Sequence, residues 1–286
     1  MISKEKGRQS SQNPSGSWQA PGSAASAPAP LVAIAHGSRD PAAQLVIAEI
    51  AEQVRLAAPE LPVTASFLQH AEPSLNASLT AAGPGAVVVP LLLAPGYHLE
   101  ADVAVAARSA GAVVADPLGP DPLLTEALLA RLAEAGVPAE TPIVLAAAGS
   151  ADPRAAAATE CQAALLADET GVPVLPGYAS AASPSVREAV AGLAGRASGL
   201  VAVAAYLLAP GHFHDQLRRS GATWVTAPLG ARDAVAKLVL ARYFKAVGSR
   251  GRVQALPPRV GPVHDFHNQP DAGKGSMLLR PEDQLK

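Results

Sequence analysis

Between residues 30 and 247, short and wholly apolar runs alternate with longer stretches in which apolar residues recur every three or four positions. LVAIAH (31–36), VTASFL (63–68), AVVVPLLL (86–93) and AVVAD (112–116) show little polar–apolar alternation, as expected of parallel strands covered on both faces. Between them lie helical patterns at 41–58, at 73–83, from about Leu99, and at 122–136. Asp40-Pro41 suits a helix start, because aspartate accepts from free first-turn amides and proline's missing N–H costs nothing there. This alternation predicts an α/β fold with mostly parallel sheets.

The pattern then repeats. IVLAAAGSADP (143–153) matches LVAIAHGSRDP (31–41), with Ala148 opposite His36 at an offset of 112. ASPSVREAV (182–190) matches AEPSLNASL (71–79) at 111, AAYLLAPGHFHDQL (204–217) matches VPLLLAPGYHLEAD (89–102) at 115, and APLG (227–230) matches DPLG (116–119) at 111. A repeat this long is a duplicated domain rather than a solenoid unit. The expected architecture is two tandem, similar α/β halves, each a mostly parallel four-stranded sheet flanked by helices, with a cleft between them. The halves are placed at 30–139 and 140–247, with a disordered leader (1–29) and tail (248–286) that are rich in small, polar and proline residues.

The candidate chemistry gathers at one rim. Ligands of parallel α/β sheets bind beyond the carboxyl ends of the strands. His36 ends the first strand, Gln69-His70 follows the second, and His98 follows the third by a short APGY loop. Alternation sends Gln69 and His70 to opposite faces, so one of them turns inward. Two imidazoles with oxygen donors suit a borderline divalent metal, and a site with few protein ligands stays open for catalysis or transfer. Glu72 and Glu100 read as helix N-terminal charges. Neither a phosphate loop nor a nucleophile elbow is present, so ATP is not implied and serine hydrolysis fits poorly.

Composition narrows the classes further. Net charge is −2 and 16% of the 286 residues are charged, which argues against a nucleic-acid partner. The single cysteine, Cys161, rules out an intrachain disulfide or a cysteine metal cluster; its alanine-rich setting predicts a packed core thiol. No apolar run approaches membrane-spanning length, and the N-terminus does not read as a secretory signal. Cytoplasmic residence is the resulting expectation.

AHGSRDPAA, FLQHAEPSL and VVVPLLLAPGYHLEADV, in that order and spacing, resemble the sirohydrochlorin chelatases, the small ATP-independent enzymes of siroheme and cobalamin synthesis. The resemblance spans about residues 30–247 and implies a chelatase fold of two facing halves. It also implies insertion of Fe²⁺ or Co²⁺ into sirohydrochlorin, with the metal as substrate and no organic cofactor. By that resemblance His36 and His98 hold the metal, and Gln69 stands where many members carry an acidic ligand, with His70 or Glu72 as substitutes. His36, His98 or His70 would take the pyrrole protons, a task that suits neutral imidazole.

Ser38, Arg39, Gly96 and Tyr97, with His212 and His214 flanking the Phe213 that replaces the second histidine, are the expected substrate contacts. Arg39, Arg154 at the matching place in half two, and Arg218 and Arg219 are candidate partners for the substrate's carboxylates. HDFH (264–267) reads as a polar stretch of the tail. One chain carrying both halves can work as a monomer. A non-enzymatic metal carrier using the same histidines is the alternative, although it has no need of a two-walled cleft. A metal-dependent hydrolase is disfavoured by the few acidic ligands at the rim.

Overall fold

In the computed structural model, which describes residues 27–195 and 199–254, the first half contains β1 (Leu31–Ala35), α1 (Pro41–Ala57), β2 (Val63–Phe67) and α2 (Leu75–Ala82). It continues with β3 (Val87–Pro90), α3 (Tyr97–Ser109), β4 (Val113–Val114) and α4 (Pro122–Glu134). The second half repeats the order with β5 (Ile143–Ala147), α5 (Pro153–Thr170), β6 (Val174–Tyr178) and α6 (Val186–Ala194). It ends with β7 (Ala202–Tyr206), α7 (His212–Leu217), β8 (Trp224–Val225) and α8 (Asp233–Gln254). The sheets run β2-β1-β3-β4 and β6-β5-β7-β8, parallel throughout.

The continuous apolar strands follow from burial on both faces. In β1, Val32 and Ile34 pack outward with Leu75, Leu79 and Val103 of α2 and α3, while Leu31, Ala33 and Ala35 face a core shared by both halves. In β5, Val144 and Ala146 face outward, and Ile143, Leu145 and Ala147 enter the shared core. Period-two geometry thus divides each strand between two hydrophobic layers.

The halves exchange their last helices: α8 packs on α1 and β3, and α4 on α5 and β7. A pair of symmetry-matched arginines fixes the exchange. Arg131 of α4 donates to the Leu229 carbonyl at 3.0 Å, and Arg242 of α8 donates to the Leu118 carbonyl at 2.7 Å. Arg242 also pairs with Asp121 at 3.0 Å, and Glu134 takes Arg131 and Arg232. Hydrogen bonds from Arg232 and then Arg131 hold the Glu134 carboxyl below its ordinary value.

Two details differ from the sequence reading. Cys161 is exposed rather than packed: α5 buries Ala155, Ala158, Thr159, Gln162, Ala163 and Leu166, and residue 161 lies off that stripe. Helix α8 continues to Gln254, past the expected end of the half at 247. The apolar signal fades after Val247, yet no proline interrupts the chain before Pro257. The leader to residue 26, residues 196–198 and the tail from 255, with its HDFH stretch, lie outside the described residues. No described helix is long and apolar enough to cross a membrane.

Candidate functional site

β1 ends at Ala35, and His36 is the first residue beyond it. The Leu68 amide donates to the Ala35 carbonyl and the Gln69 amide to the His36 carbonyl, both at 3.1 Å. The main chain at His36 is therefore fixed against the next loop while its ring stands exposed at the rim. Gly37 makes this approach possible. Its φ is 97°, and a Cβ there would lie 1.8 Å from the Gln69 carbonyl oxygen. Ser38 Oγ then accepts from the Asp40 amide at 3.0 Å, and Asp40 caps α1 through the Ala42 amide at 2.9 Å. The strand-to-helix turn is tied at every step.

His36 faces a cleft between the halves with two lobes of about 310 and 480 Å³, which share His36, Leu91, Leu207, Leu208 and Phe213. In the smaller lobe Gly37, Ser38 and Gln44 oppose His212, Phe213 and His214. In the larger, the 92–96 loop of half one opposes Ala148–Ser150, Thr159, Tyr178 and Tyr206 of half two. That loop leads into α3, with Gly96 at the N-cap and His98 second in the helix. The side chains of Tyr97, His98 and Leu99 lie outside the described residues; the backbone sets His98 at the same strand-end rim as His36.

A larger hollow, about 630 Å³, opens beside β4 and α8. Its Lys245 pairs with Asp116, and its Arg242 is held by Pro117, Leu118 and Asp121. Among the described residues it is lined by no histidine, whereas His36 lines both lobes of the cleft between the halves.

The remaining expected residues divide. Ser38, Gly96, His212 and His214 line the cleft, while Arg39, Gln69 and His70 line neither lobe and are exposed. His70 adopts φ 64° on the loop after β2. His214 is 5% exposed, and its Nε2 donates to the Thr226 carbonyl at 3.0 Å. Burial on α7 thus commits that nitrogen to structure. His212 is exposed and receives a hydrogen bond from Gln216 Nε2 at 2.7 Å. Arg218 and Arg219 are exposed at the end of α7 and line neither lobe.

Glu72 accepts from the Ser74 amide at 2.7 Å, next to the start of α2. Glu100 stands in the first turn of α3 and pairs across the halves with Arg154 at 3.0 Å. Arg154 aligns with Ala42 rather than Arg39, and its guanidinium is held first by Asp152, at 2.7 Å, and then by Glu100. These bonds raise its pKa above the usual arginine value. Among the described residues no group of three or more His, Cys, Asp and Glu side chains is arranged to hold a metal.

Sequence reasoning passed over a set of polar residues on the second wall. Ile47, Ile50, Phe67 and Leu91 of half one are replaced in the matching positions by Thr159, Gln162, Tyr178 and Tyr206, all buried. Tyr206 donates to the Leu93 carbonyl at 2.8 Å, and Gln162 accepts from the Asp121 amide at 2.9 Å and donates to Thr125 Oγ1 at 2.8 Å. The Tyr178 phenol lies beside the Thr159 hydroxyl, which itself donates to the Ala155 carbonyl at 2.8 Å. Burial raises the pKa of both phenols, strongly for Tyr206, while the Thr159 hydroxyl opposes the shift at Tyr178. Setting the two repeats side by side would have exposed these exchanges, because four apolar positions become polar together.

Comparison with known proteins adds to this picture. The CbiX family model matches residues 30–135 and again 142–246. A sirohydrochlorin cobaltochelatase from Methanosarcina acetivorans is 28% identical over 123 residues, which cover 37% of this chain and 95% of the relative. SirB from Bacillus subtilis with Fe³⁺ superposes with a TM-score of 0.68 at 24% identity, over 78% of this chain and 97% of its own. The structure of CbiX described as the terminal enzyme of siroheme biosynthesis in denitrifying bacteria gives a TM-score of 0.56 at 24% identity, over 76% and 98%.

Proposed function

The chain belongs to the CbiX family of sirohydrochlorin chelatases, and from that premise we propose that it inserts Fe²⁺ or Co²⁺ into sirohydrochlorin without ATP. The observation that carries the reading is His36, exposed on a fixed strand-end turn and facing a two-walled cleft. His98 lies in the first turn of α3 on the same rim. Imidazole binds such metals reversibly, and two such ligands leave coordination positions open for ring nitrogens.

In the proposed reaction His36 and His98 hold the incoming M²⁺. The ring nitrogens replace the imidazoles as ligands while two pyrrole N–H protons leave. One divalent cation enters, two protons depart, and the charge of the macrocyclic complex is unchanged. Gln69 and His70, on the loop bonded to His36, are the proposed auxiliary ligand and base at the rim. Ser38, Arg39, Gly96, Tyr97 and His212 are the proposed substrate contacts. Both walls belong to one chain, so the proposed working unit is a monomer, and the proposed compartment is the cytoplasm.

The test is an anaerobic absorbance assay with sirohydrochlorin and either Fe²⁺ or Co²⁺, beside His36→Ala and His98→Ala. Insertion well above the protein-free rate, lost in both variants, is expected. No acceleration with either metal, with metal binding intact, overturns the reading and leaves a metal carrier.

A further inference from the structure

The two halves treat one loop carbonyl differently. At the end of β7 stands Tyr206, 2% exposed, whose hydroxyl crosses to half one and donates to the Leu93 carbonyl at 2.8 Å. Leu93 lies in the loop between β3 and α3, five residues before His98. The preceding carbonyl, of Leu92, is held within half one by the Leu118 amide at 2.8 Å and the Gly119 amide at 3.3 Å. At the mirror position no hydroxyl is used: Leu91 stands where Tyr206 stands, and the Leu208 carbonyl takes the Gly230 amide at 2.9 Å. The cross-half bond is thus an addition to the duplicated plan.

Space has been cleared for it. A Cβ on Gly119 would lie 2.1 Å from the Leu93 oxygen and 2.2 Å from the Tyr206 hydroxyl. Glycine is therefore required where the bond passes, although its backbone does not take a left-handed conformation there. Behind the phenol, Gln162 Oε1 lies at 3.5 Å and is itself tied to the Asp121 amide. The donor belongs to β7 of half two, and its acceptor belongs to the loop that delivers His98.

We propose that Tyr206 is a positioning residue for the metal site: through Leu93 it fixes the loop that places His98 at the rim. The inference rests on the chelatase reading, since it gives His98 a metal to hold. It assigns the second half a mechanical part in metal binding although that half lacks the histidine pair. Groups that orient metal ligands without touching the metal typically change affinity about 10–100-fold when removed.

The experiment is Co²⁺ titration of the full chain without tetrapyrrole, followed by steady-state insertion kinetics. Tyr206→Phe removes only the hydroxyl and should bind Co²⁺ about tenfold more weakly, with kcat lowered and KM for sirohydrochlorin little changed. Tyr243→Phe is the control, because that hydroxyl also donates to a carbonyl, Ala29 at 2.7 Å, away from the loop. It should leave Co²⁺ binding unchanged. Gly119→Ala, which sets a methyl group into the path of the bond, should weaken Co²⁺ binding by a separate route and serves if Tyr206→Phe does not fold. Wild-type Co²⁺ affinity in folded Tyr206→Phe, or equal weakening in Tyr243→Phe, overturns the positioning role alone. Wild-type affinity in His98→Ala overturns the metal reading and this inference with it.

Discussion

Halves one and two share a backbone plan down to its unusual features, yet differ in the residues that carry chemistry. Gly37 and Gly149 each have φ near 90° and stand against a loop carbonyl. His70 and Ala181 take matching positive φ angles, and isolated bridges Phe67–Ser74 and Tyr178–Ser185 close the same loop. At the rim, however, His36 faces Ala148 and His98 faces Phe213 in the alignment, while the apolar wall of one half becomes polar in the other. The two copies share one scaffold, and in the proposed function the edge with His36 and His98 bears the metal while the other copy supplies the facing wall.

Exchanging residues between the halves sharpens that division. The largest effect is expected from His36→Ala, which should abolish metal insertion, about a hundredfold or more. Phe213→Ala, across the cleft, should raise KM several-fold and spare metal binding. Steady-state kinetics with Co²⁺ separates the two. If Phe213→Ala lost as much as His36→Ala, the assignment of roles to the halves would fail.

Next in size are the twin glycines. Gly37→Ala and Gly149→Ala should each lose about 3 kcal/mol of stability, since each methyl would meet a backbone oxygen in a left-handed conformation. Denaturant titration should find the two equal. Only Gly37→Ala should also lose Co²⁺ affinity, because it displaces His36. A smaller loss, about 1–3 kcal/mol, is expected for Gln162→Leu, which strands the Asp121 amide and the Thr125 hydroxyl in the shared core. Ile50→Leu, at the matching position, should cost less than about 1.5 kcal/mol.

The smallest effect concerns pH. Arg232 and Arg131 depress the Glu134 carboxyl in the folded chain. A carboxyl depressed by folding stabilises above its ordinary titration range, and that contribution disappears as pH falls through the lowered folded value. Glu134→Gln should therefore flatten the acid limb of the stability profile slightly, as the group is exposed and well screened. Denaturant midpoints followed from neutral pH into the acid range measure it; an unchanged limb would remove Glu134 from the inter-half clamp.

Much of this was legible in the chain. Continuous apolar strands, the aspartate-proline helix starts and the offset repeat locate the two parallel sheets, and LVAIAHGS locates His36 at a strand end. Long-range partnership was not legible. No local pattern says that Arg131 and Arg242 cross between the halves or that Arg154 is taken by Asp152 and Glu100. Nor does spacing reveal that Gln69 and His70 stay on the rim loop outside both lobes, or that α7 buries His214 against Thr226. In alanine-rich helices the buried stripe is weakly marked, which is why Cys161 reads as core from sequence and is exposed in the fold.

The central claim is that one metal-binding edge survives in a duplicated chain. Counting bound metal tests it most directly, by native mass spectrometry or calorimetry of the full chain with Co²⁺ under anaerobic conditions. The account predicts a single Co²⁺ per chain, lost in His36→Ala and in His98→Ala. Two ions per chain, or one ion that persists in both variants, would contradict it.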